Sequence, residues 1–141
     1  MGRGFGARVA INSRMNGRLE AIDVAKVAIL VLAEAETHES LGRLVNAFMT
    51  TKELQDHDDE VQLVFDGGGT KGLAEIANPD HDAHKLYTDV SDRIAGACRY
   101  CAKAFGVQEE LEKLNVQLLD DFAQHPSLRS YIADGYQVIS F

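Results

Sequence analysis

Short apolar runs alternate with amphipathic segments along most of the chain. Residues 27–32 form a continuous apolar run with β-branched members, which is typical of a strand covered on both faces. A second run, residues 61–65, ends at an acidic residue followed by three glycines. Between the two runs, apolar residues recur at helical spacing from 38 to about 54, with Thr37 as the predicted N-cap. The pattern therefore predicts two strands joined by a helix.

The second half of the chain repeats this alternation with shorter elements. A turn at Asn78-Pro79-Asp80 predicts a helix that is capped by Asp80 and ends near Ile94. The predicted elements that follow are a strand at 95–98, helices at 99–105 and 108–114, a strand at 116–119, a helix with Pro126 in its first turn that ends at Gly135, and a strand at 136–141. Strands that alternate with helices predict an α/β fold, here a three-layer α/β/α sandwich with a mainly parallel sheet of about five strands.

Composition divides the chain into two parts. Residues 1–23 contain four arginines among Gly, Asn and Ser, and no acidic residue precedes Glu20. We therefore predict a flexible N-terminal arm at 1–23 and a single α/β domain at 24–141. The arm reads as a dispensable extension, although its arginines and lack of acidic residues also suit an organellar transit peptide.

Charge excludes several classes of partner. The 141-residue chain has 22 acidic and 14 basic residues, a net charge of -8, and without the arm's four arginines the charge is -12. An acidic surface of this kind disfavours nucleic acid and anionic membranes.

No apolar stretch reaches the ~20 residues of a membrane span, and the start lacks the apolar core of a secretory signal. We expect a cytoplasmic protein.

The predicted topology fixes where a site should lie. In a parallel α/β sheet, ligands bind beyond the carboxyl ends of the strands, where loops and helix starts converge. Four segments follow predicted strands, and they hold both cysteines, two of the histidines and several aspartates: 34–38, 66–70, 98–101 and 120–125.

Cys98 and Cys101 form a CxxC sequence at a predicted strand-to-helix junction. The free backbone N–H groups of a helix start favour thiolate over thiol, and Arg99 and Lys103 add positive charge, so we predict a lowered pKa for Cys98. A thiolate is the nucleophile of sulfur transfer, and a CxxC pair also permits a dithiol/disulfide couple. The alternative is that both cysteines pack as small hydrophobic residues.

Other polar residues of these segments are candidates for supporting roles. His38 and His125 could each exchange a proton with Cys98, and Asp66 opens a glycine loop. Its residues Gly67, Gly68 and Gly69 could bring backbone N–H groups close to an anion or a bound persulfide, or simply make a turn between strand and helix.

One pair of histidines invites a metal interpretation. His81 and His84 are three residues apart, so one helical face would present both imidazoles. No third ligand lies nearby in the sequence, and a solvated helix start is the simpler interpretation. We therefore predict neither a metal nor a cofactor.

From residue 26 to the end, the chain resembles the DsrE/DsrF-like family of small α/β sulfur-relay proteins. The resemblance depends on these segments: 26–32, Val64-Phe65-Asp66-Gly67, Gly96-Ala97-Cys98, 102–107 and 134–139. It implies that Cys98, followed eight positions later by Gly106, is the sulfur-carrying cysteine. Cys101 departs from the single-cysteine pattern. The resemblance further implies a homo-oligomer, a trimer or hexamer, with sulfur donor and acceptor proteins as partners.

These observations lead to one main hypothesis and two alternatives. The main one is a sulfur carrier of sulfurtransferase type, in which Cys98 accepts sulfane sulfur as a persulfide and passes it to a partner. The first alternative is a CxxC dithiol redox protein that uses Cys98 and Cys101. The second is an oligomeric or small-ligand binding module without catalysis, in which both thiols only pack.

Overall fold

The computed structural model describes residues 10–12, 20–22 and 24–141. Strands β1 (Ala10–Asn12) and β2 (Glu20–Ile22) pair with each other in antiparallel fashion. The other positions of the predicted arm lie outside the described residues. The division into an arm and a domain stays a prediction.

A five-stranded sheet, parallel throughout, forms the centre of the domain. Its strands are β3 (Lys26–Val31), β4 (Glu60–Phe65), β5 (Ile94–Cys98), β6 (Leu118–Leu119) and β7 (Gln137–Ser140), in the spatial order β6-β5-β4-β3-β7. The apolar runs supply the buried strands, since Ile29, Leu63 and Phe65 have no solvent-exposed surface. This confirms the predicted α/β fold, a three-layer α/β/α sandwich.

Within the described residues, six α-helices connect the strands of this sheet. They are α1 (His38–Asp56), α2 (Gly69–Ile76), α3 (His84–Val90), α4 (Arg99–Ala104), α5 (Gln108–Lys113) and α6 (Leu128–Ala133). The longest, α1, begins as predicted at Thr37, whose hydroxyl oxygen accepts a hydrogen bond of 3.1 Å from the Ser40 N–H. Its apolar face packs on the sheet through Phe48, whose ring meets that of Phe65 edge-on with centroids 6.2 Å apart.

The predicted helix from Asp80 to Ile94 is wrong at both ends. Asp80 donates its backbone N–H to the side chain of Asn78, which closes a turn, and α3 begins only at His84. A short 3₁₀ turn at Ser91–Arg93 then leads into β5, so Ile94 is the first residue of a strand.

Two other predicted boundaries also shift. Pro126 lies outside α6, because Ser127 is the N-cap and its hydroxyl oxygen accepts from the Ser130 N–H at 3.2 Å. The strand predicted at 116–119 is reduced to its last two residues. The glycine segment after β4 turns directly into helix α2, for which the sequence pattern gave no bounds.

A β-bulge shifts the register between β4 and β5. Leu63 pairs with Ile94, but the next pair is Val64 with Gly96, so Ala95 is an extra residue on β5. Phe65 then lies opposite Ala97 at the end of the ladder. The residues that follow the two strands are placed side by side as a result.

Helix α2 begins in close contact with the end of β3. A Cβ atom on Gly69 would lie 2.0 Å from the carbonyl oxygen of Val31, and one on Gly72 would lie 2.7 Å from that of Ala33. Both neighbours are backbone atoms and cannot rotate away. Glycine is therefore required here for the loop after β4 to keep its place.

We predict that Gly69→Ala destabilises the fold by about 3 kcal/mol, because the added methyl group overlaps backbone that must shift. Urea unfolding followed by circular dichroism measures this. Gly42→Ala is the control: it lies exposed in α1 with no atom within 4 Å of its added Cβ, and it should stabilise by about 0.5–1 kcal/mol. Equal stability of the two variants would contradict the close-contact argument.

Candidate functional site

Four side chains from three chain segments meet at the carboxyl edge of the sheet. Asp66 follows β4, Cys98 ends β5, Cys101 lies in the first turn of α4, and His125 lies in the loop after β6. One potential ligand atom from each side chain lies within 4.8 Å of every other. This group, called the Cys–His–Asp cluster below, is where the topology predicted a site.

Cys98 is the buried member of the cluster and has no exposed surface. It is the N-cap of α4, and its Sγ accepts a hydrogen bond of 3.4 Å from the Cys101 N–H. The same Sγ lies 3.1 Å from Nδ1 of His125 and 3.6 Å from the carbonyl oxygen of Gln124. Cys98 therefore has an imidazole nitrogen in direct contact, and of the two candidate histidines it is His125 that supplies it.

Cys101 and Asp66 form the second pair of the cluster. The Cys101 thiol donates to Oδ1 of Asp66 at 3.2 Å, and the same oxygen accepts the N–H of Gly67 at 2.8 Å. Gly67 has φ +52, a left-handed conformation that glycine adopts without strain. The first loop glycine therefore helps to hold the carboxylate against the thiol.

A tight turn places His125 in contact with Cys98. Phe122 and His125 exchange two backbone hydrogen bonds of 2.9 and 2.8 Å, and the residues between them, Ala123 and Gln124, have φ values of +47 and +68. Such a two-residue turn normally contains glycine or asparagine, so alanine and glutamine are strained here. The turn, called the 122–125 turn below, is also anchored by the Tyr100 N–H, which donates to the Gln124 carbonyl at 3.0 Å.

The pKa of Cys98 is shifted in the direction opposite to the one predicted from the sequence. Burial raises the pKa of Cys98 to about 12, and the Cys101 N–H that donates to its sulfur only partly offsets that effect. Burial also raises the pKa of Cys101, with its hydrogen bond to Asp66 acting in the same direction. The prediction of a low thiol pKa is wrong because desolvation outweighs the helix start.

Arg99 does not supply the charge expected of it. Its Nε lies 3.0 Å from Oδ2 of Asp120 in an exposed ion pair. The side chain is therefore engaged with the loop after β6 and not with the sulfur of Cys98. Lys103 is likewise exposed on α4.

Several predicted candidates lie outside the cluster. His38 is exposed at the start of α1 and is not a member of the cluster. In the glycine loop, Gly69 donates its N–H to the carbonyl of Asp66 at 2.9 Å, and Gly68 is the N-cap of α2. Since the Gly67 and Gly69 amides already have partners, the loop acts here as the support of Asp66.

The two histidines of the metal interpretation are used differently. Nδ1 of His84 lies 3.1 Å from the carbonyl oxygen of Ile76, and Nδ1 of His81 accepts the N–H of Ala83. Among residues 10–12, 20–22 and 24–141, they belong to no group of three potential ligands. Both rings support the turn that precedes α3.

Sequence reasoning did not identify the groups that hold the cluster in place. Tyr100 lies inside the CxxC sequence, but no motif indicates that its ring packs on that of His125, with centroids 5.1 Å apart. Nor does the sequence indicate the contact of the Gln124 carbonyl with the Tyr100 N–H. An Ala-Gln pair carries no signal for a tight turn, so only the structure reveals that contact.

No family model matches the chain. An uncharacterized protein of Methanocaldococcus jannaschii, MJ0733, is 26% identical to it over 115 residues, which cover 81% of this chain and 93% of that protein. A solved structure of a conserved protein of unknown function, BT1422 from Bacteroides thetaiotaomicron, has a TM-score of 0.56 and 15% identity, covering 81% of this chain and 94% of the other. The structural similarity to BT1422 shows a shared fold. In the described part of the chain, no helix is both long and apolar enough to cross a membrane.

The raised pKa of Cys98 predicts slow alkylation. At pH 8 a thiol of pKa about 12 has roughly 1,000-fold less thiolate than an ordinary cysteine, and its rate should keep rising with pH well past 9. Iodoacetamide labelling of reduced Cys101→Ser, with a chelator present, isolates this thiol. The urea-unfolded variant is the reference. Equal rates in the two states at pH 8 would refute the raised pKa.

The strained turn predicts a stabilising substitution. Gln124→Gly keeps the backbone carbonyl that Tyr100 contacts but removes the side-chain cost of φ +68, so we expect about 1 kcal/mol of added stability. Thermal unfolding measures the change. Gln108→Gly, in the first turn of α5, is the control and should destabilise. A Gln124→Gly variant less stable than the parent would show that the turn is not strained.

Proposed function

We propose that the protein is a sulfur carrier in which Cys98 accepts sulfane sulfur as a persulfide and relays it to a partner. The observation that supports this most directly is the 3.1 Å contact between Cys98 Sγ and His125 Nδ1. A protonated thiol beside an imidazole can lose its proton as the sulfur attacks, which makes a resting thiolate unnecessary. The resemblance to DsrE/DsrF-like proteins points to the same cysteine.

In the proposed uptake step, Cys98 Sγ attacks the terminal sulfur of a donor persulfide. The Cys98 thiol proton passes to His125, a new S–S bond forms on Cys98, and the S–S bond of the donor breaks. The donor leaves as a thiolate and takes up a proton, so the step exchanges one thiol for another without net oxidation. Release to an acceptor thiol is the same reaction in reverse.

Access to Cys98 depends on the 122–125 turn in this proposal. The sulfur is buried under the Gln124 carbonyl and the His125 ring, while Phe122 at the start of the turn is 72% exposed. A docking donor or acceptor protein would contact Phe122 and displace the turn. Because the turn is strained, moving it costs less than moving a relaxed one.

The proposal includes the setting of the reaction. A resting thiol persists in a reducing compartment, which fits a cytoplasmic protein. Exposed apolar side chains, including Met49 at 48% and Phe105 at 40%, are available for the trimer or hexamer that the family resemblance implies. A charge of -8 fits protein partners better than nucleic acid.

The CxxC geometry favours a dithiol redox protein as the second candidate. Both sulfurs belong to the cluster, within 4.8 Å of each other. Cys101 could attack the inner sulfur of a Cys98 persulfide, which would form the Cys98–Cys101 disulfide and release the outer sulfur as hydrogen sulfide. The thiols are oxidised in this step and the sulfane sulfur is reduced.

Intact mass after incubation with a persulfide donor tests the carrier function. The wild-type chain, stripped of metal, should gain the mass of one sulfur atom, and Cys98→Ser should gain none. His125→Ala should take up sulfur about 100-fold more slowly, because the proton acceptor is lost. His84→Ala is the matched control, a half-buried histidine away from the cluster, and its rate should equal that of wild type.

Cys101→Ser separates the two candidates. A carrier keeps its added sulfur equally well in wild type and in this variant. A dithiol protein loses it in wild type as sulfide, with the loss of two hydrogens on disulfide formation, and keeps it only in the variant. An unchanged gain of mass in Cys98→Ser would overturn the carrier proposal.

A further inference from the structure

We propose that the Cys–His–Asp cluster is a zinc site. Asp66, Cys98, Cys101 and His125 would each supply one ligand atom to a single Zn²⁺ ion. The inference comes from the geometry and chemistry of the four side chains and does not depend on sulfur transfer.

The distances fit one tetrahedral ion. Bonds of about 2.0–2.3 Å place neighbouring ligand atoms of a tetrahedral zinc ion roughly 3.3–3.8 Å apart. In the cluster, Cys98 Sγ lies 3.1 Å from His125 Nδ1, Cys101 Sγ lies 3.2 Å from Asp66 Oδ1, and no pair exceeds 4.8 Å. Shifts of a few tenths of an ångström to about one ångström would create the site without rebuilding the backbone.

The chemistry of the ligand atoms selects the metal. Two sulfurs exclude the hard ions Mg²⁺ and Ca²⁺, which prefer an all-oxygen shell. Two thiolates with one imidazole and one carboxylate form a set that Zn²⁺ accepts readily, and CxxC spacing is common among its cysteine ligands. With four protein ligands the shell is complete, which is typical of structural or regulatory zinc.

Contacts around the cluster already orient these ligand atoms. The Cys101 N–H donates to Cys98 Sγ at 3.4 Å, and the Gly67 N–H donates to Asp66 Oδ1 at 2.8 Å. The ring of His125 packs on Tyr100. Hydrogen bonds to ligating atoms and a fixed imidazole are the features that tune and orient metal ligands in proteins.

Zinc binding would exclude persulfide formation. As the two Zn–S bonds form, the thiol protons of Cys98 and Cys101 leave to solvent, and no electron is transferred. The sulfur of Cys98 is then held by the metal and its proton acceptor, His125, is occupied as well. The metal-bound and sulfur-carrying forms are therefore alternative states of the same residues.

Equilibrium dialysis of the reduced full chain against Zn²⁺, with no sulfur donor present, tests the site. Metal analysis should give one zinc per wild-type chain. Cobalt substitution should give a tetrahedral visible spectrum with a thiolate-to-cobalt charge-transfer band, which a surface site made of imidazoles would lack. Circular dichroism of each variant checks that it folds.

The variants identify the ligands. Cys98→Ser combined with Cys101→Ser should abolish the charge-transfer band and zinc retention, and Cys101→Ser alone serves if the double variant does not fold. Asp66→Asn and His125→Ala should weaken zinc binding at least about ten-fold. His81→Ala combined with His84→Ala is the matched control and should bind zinc as wild type does.

Three outcomes would overturn the zinc site: a wild-type chain that retains no zinc, full retention by the cysteine double variant, or loss of zinc in the His81/His84 control. Because persulfide uptake is measured on metal-stripped protein with a donor, the two proposals can fail separately. A chain that gains sulfur but binds no zinc overturns only this inference. A chain that binds zinc but gains no sulfur overturns only the carrier function.

Discussion

The register between β4 and β5 determines what the carboxyl edge of the sheet can do. Because Ala95 is an extra residue on β5, Phe65 pairs with Ala97, and the next residues along each strand are Asp66 and Cys98. Without the bulge, Asp66 would lie opposite Ala97. A register shift of one residue turns a side chain to the other face of the sheet. The proximity of the Asp66 carboxylate to the two thiols, all within 4.8 Å, depends on this irregularity.

Burial determines the pKa of the Cys98 thiol. The thiol of Cys98 is at a helix start, a position that usually favours thiolate, yet it is held protonated because no surface of the residue reaches solvent. The reactivity of Cys98 then depends on how its proton is removed. In the proposed sulfur chemistry His125 accepts the proton. In the proposed zinc site the metal ion displaces it to solvent.

The fold was largely predictable because local signals agreed with the tertiary structure. Continuous apolar runs became buried parallel strands, and the Thr37 cap began α1 where expected. The prediction was wrong at Asp80. Asp is a good N-cap residue, but a turn closed by Asn78 forms there instead, and the sequence pattern does not show which of the two forms. The Asn78 side chain accepts the Asp80 N–H, and α3 begins only at His84, so Asp80 does not cap it.

The site was predictable in its residues but not in its contacts. Strand ends indicated Asp66, Cys98, Cys101 and His125 separately, but their pairing depends on a bulge and a strained turn that no motif encodes. The direction of the Cys98 pKa shift depends on the burial of its sulfur, which Gln124 and His125 of the 122–125 turn contact. Such long-range burial is a property of the folded chain, whereas helix starts and charges can be read locally.

The brevity of β6 has a consequence for association between molecules. As the edge strand next to the site, it offers only Leu118 and Leu119 in extended form, and Gly96 on β5 approaches so closely that an added Cβ would lie 2.4 Å from the Gln117 carbonyl. An edge this short presents few free backbone groups to which a strand from another chain could pair. The side of the sheet that holds two thiols is thereby protected from amyloid-like growth.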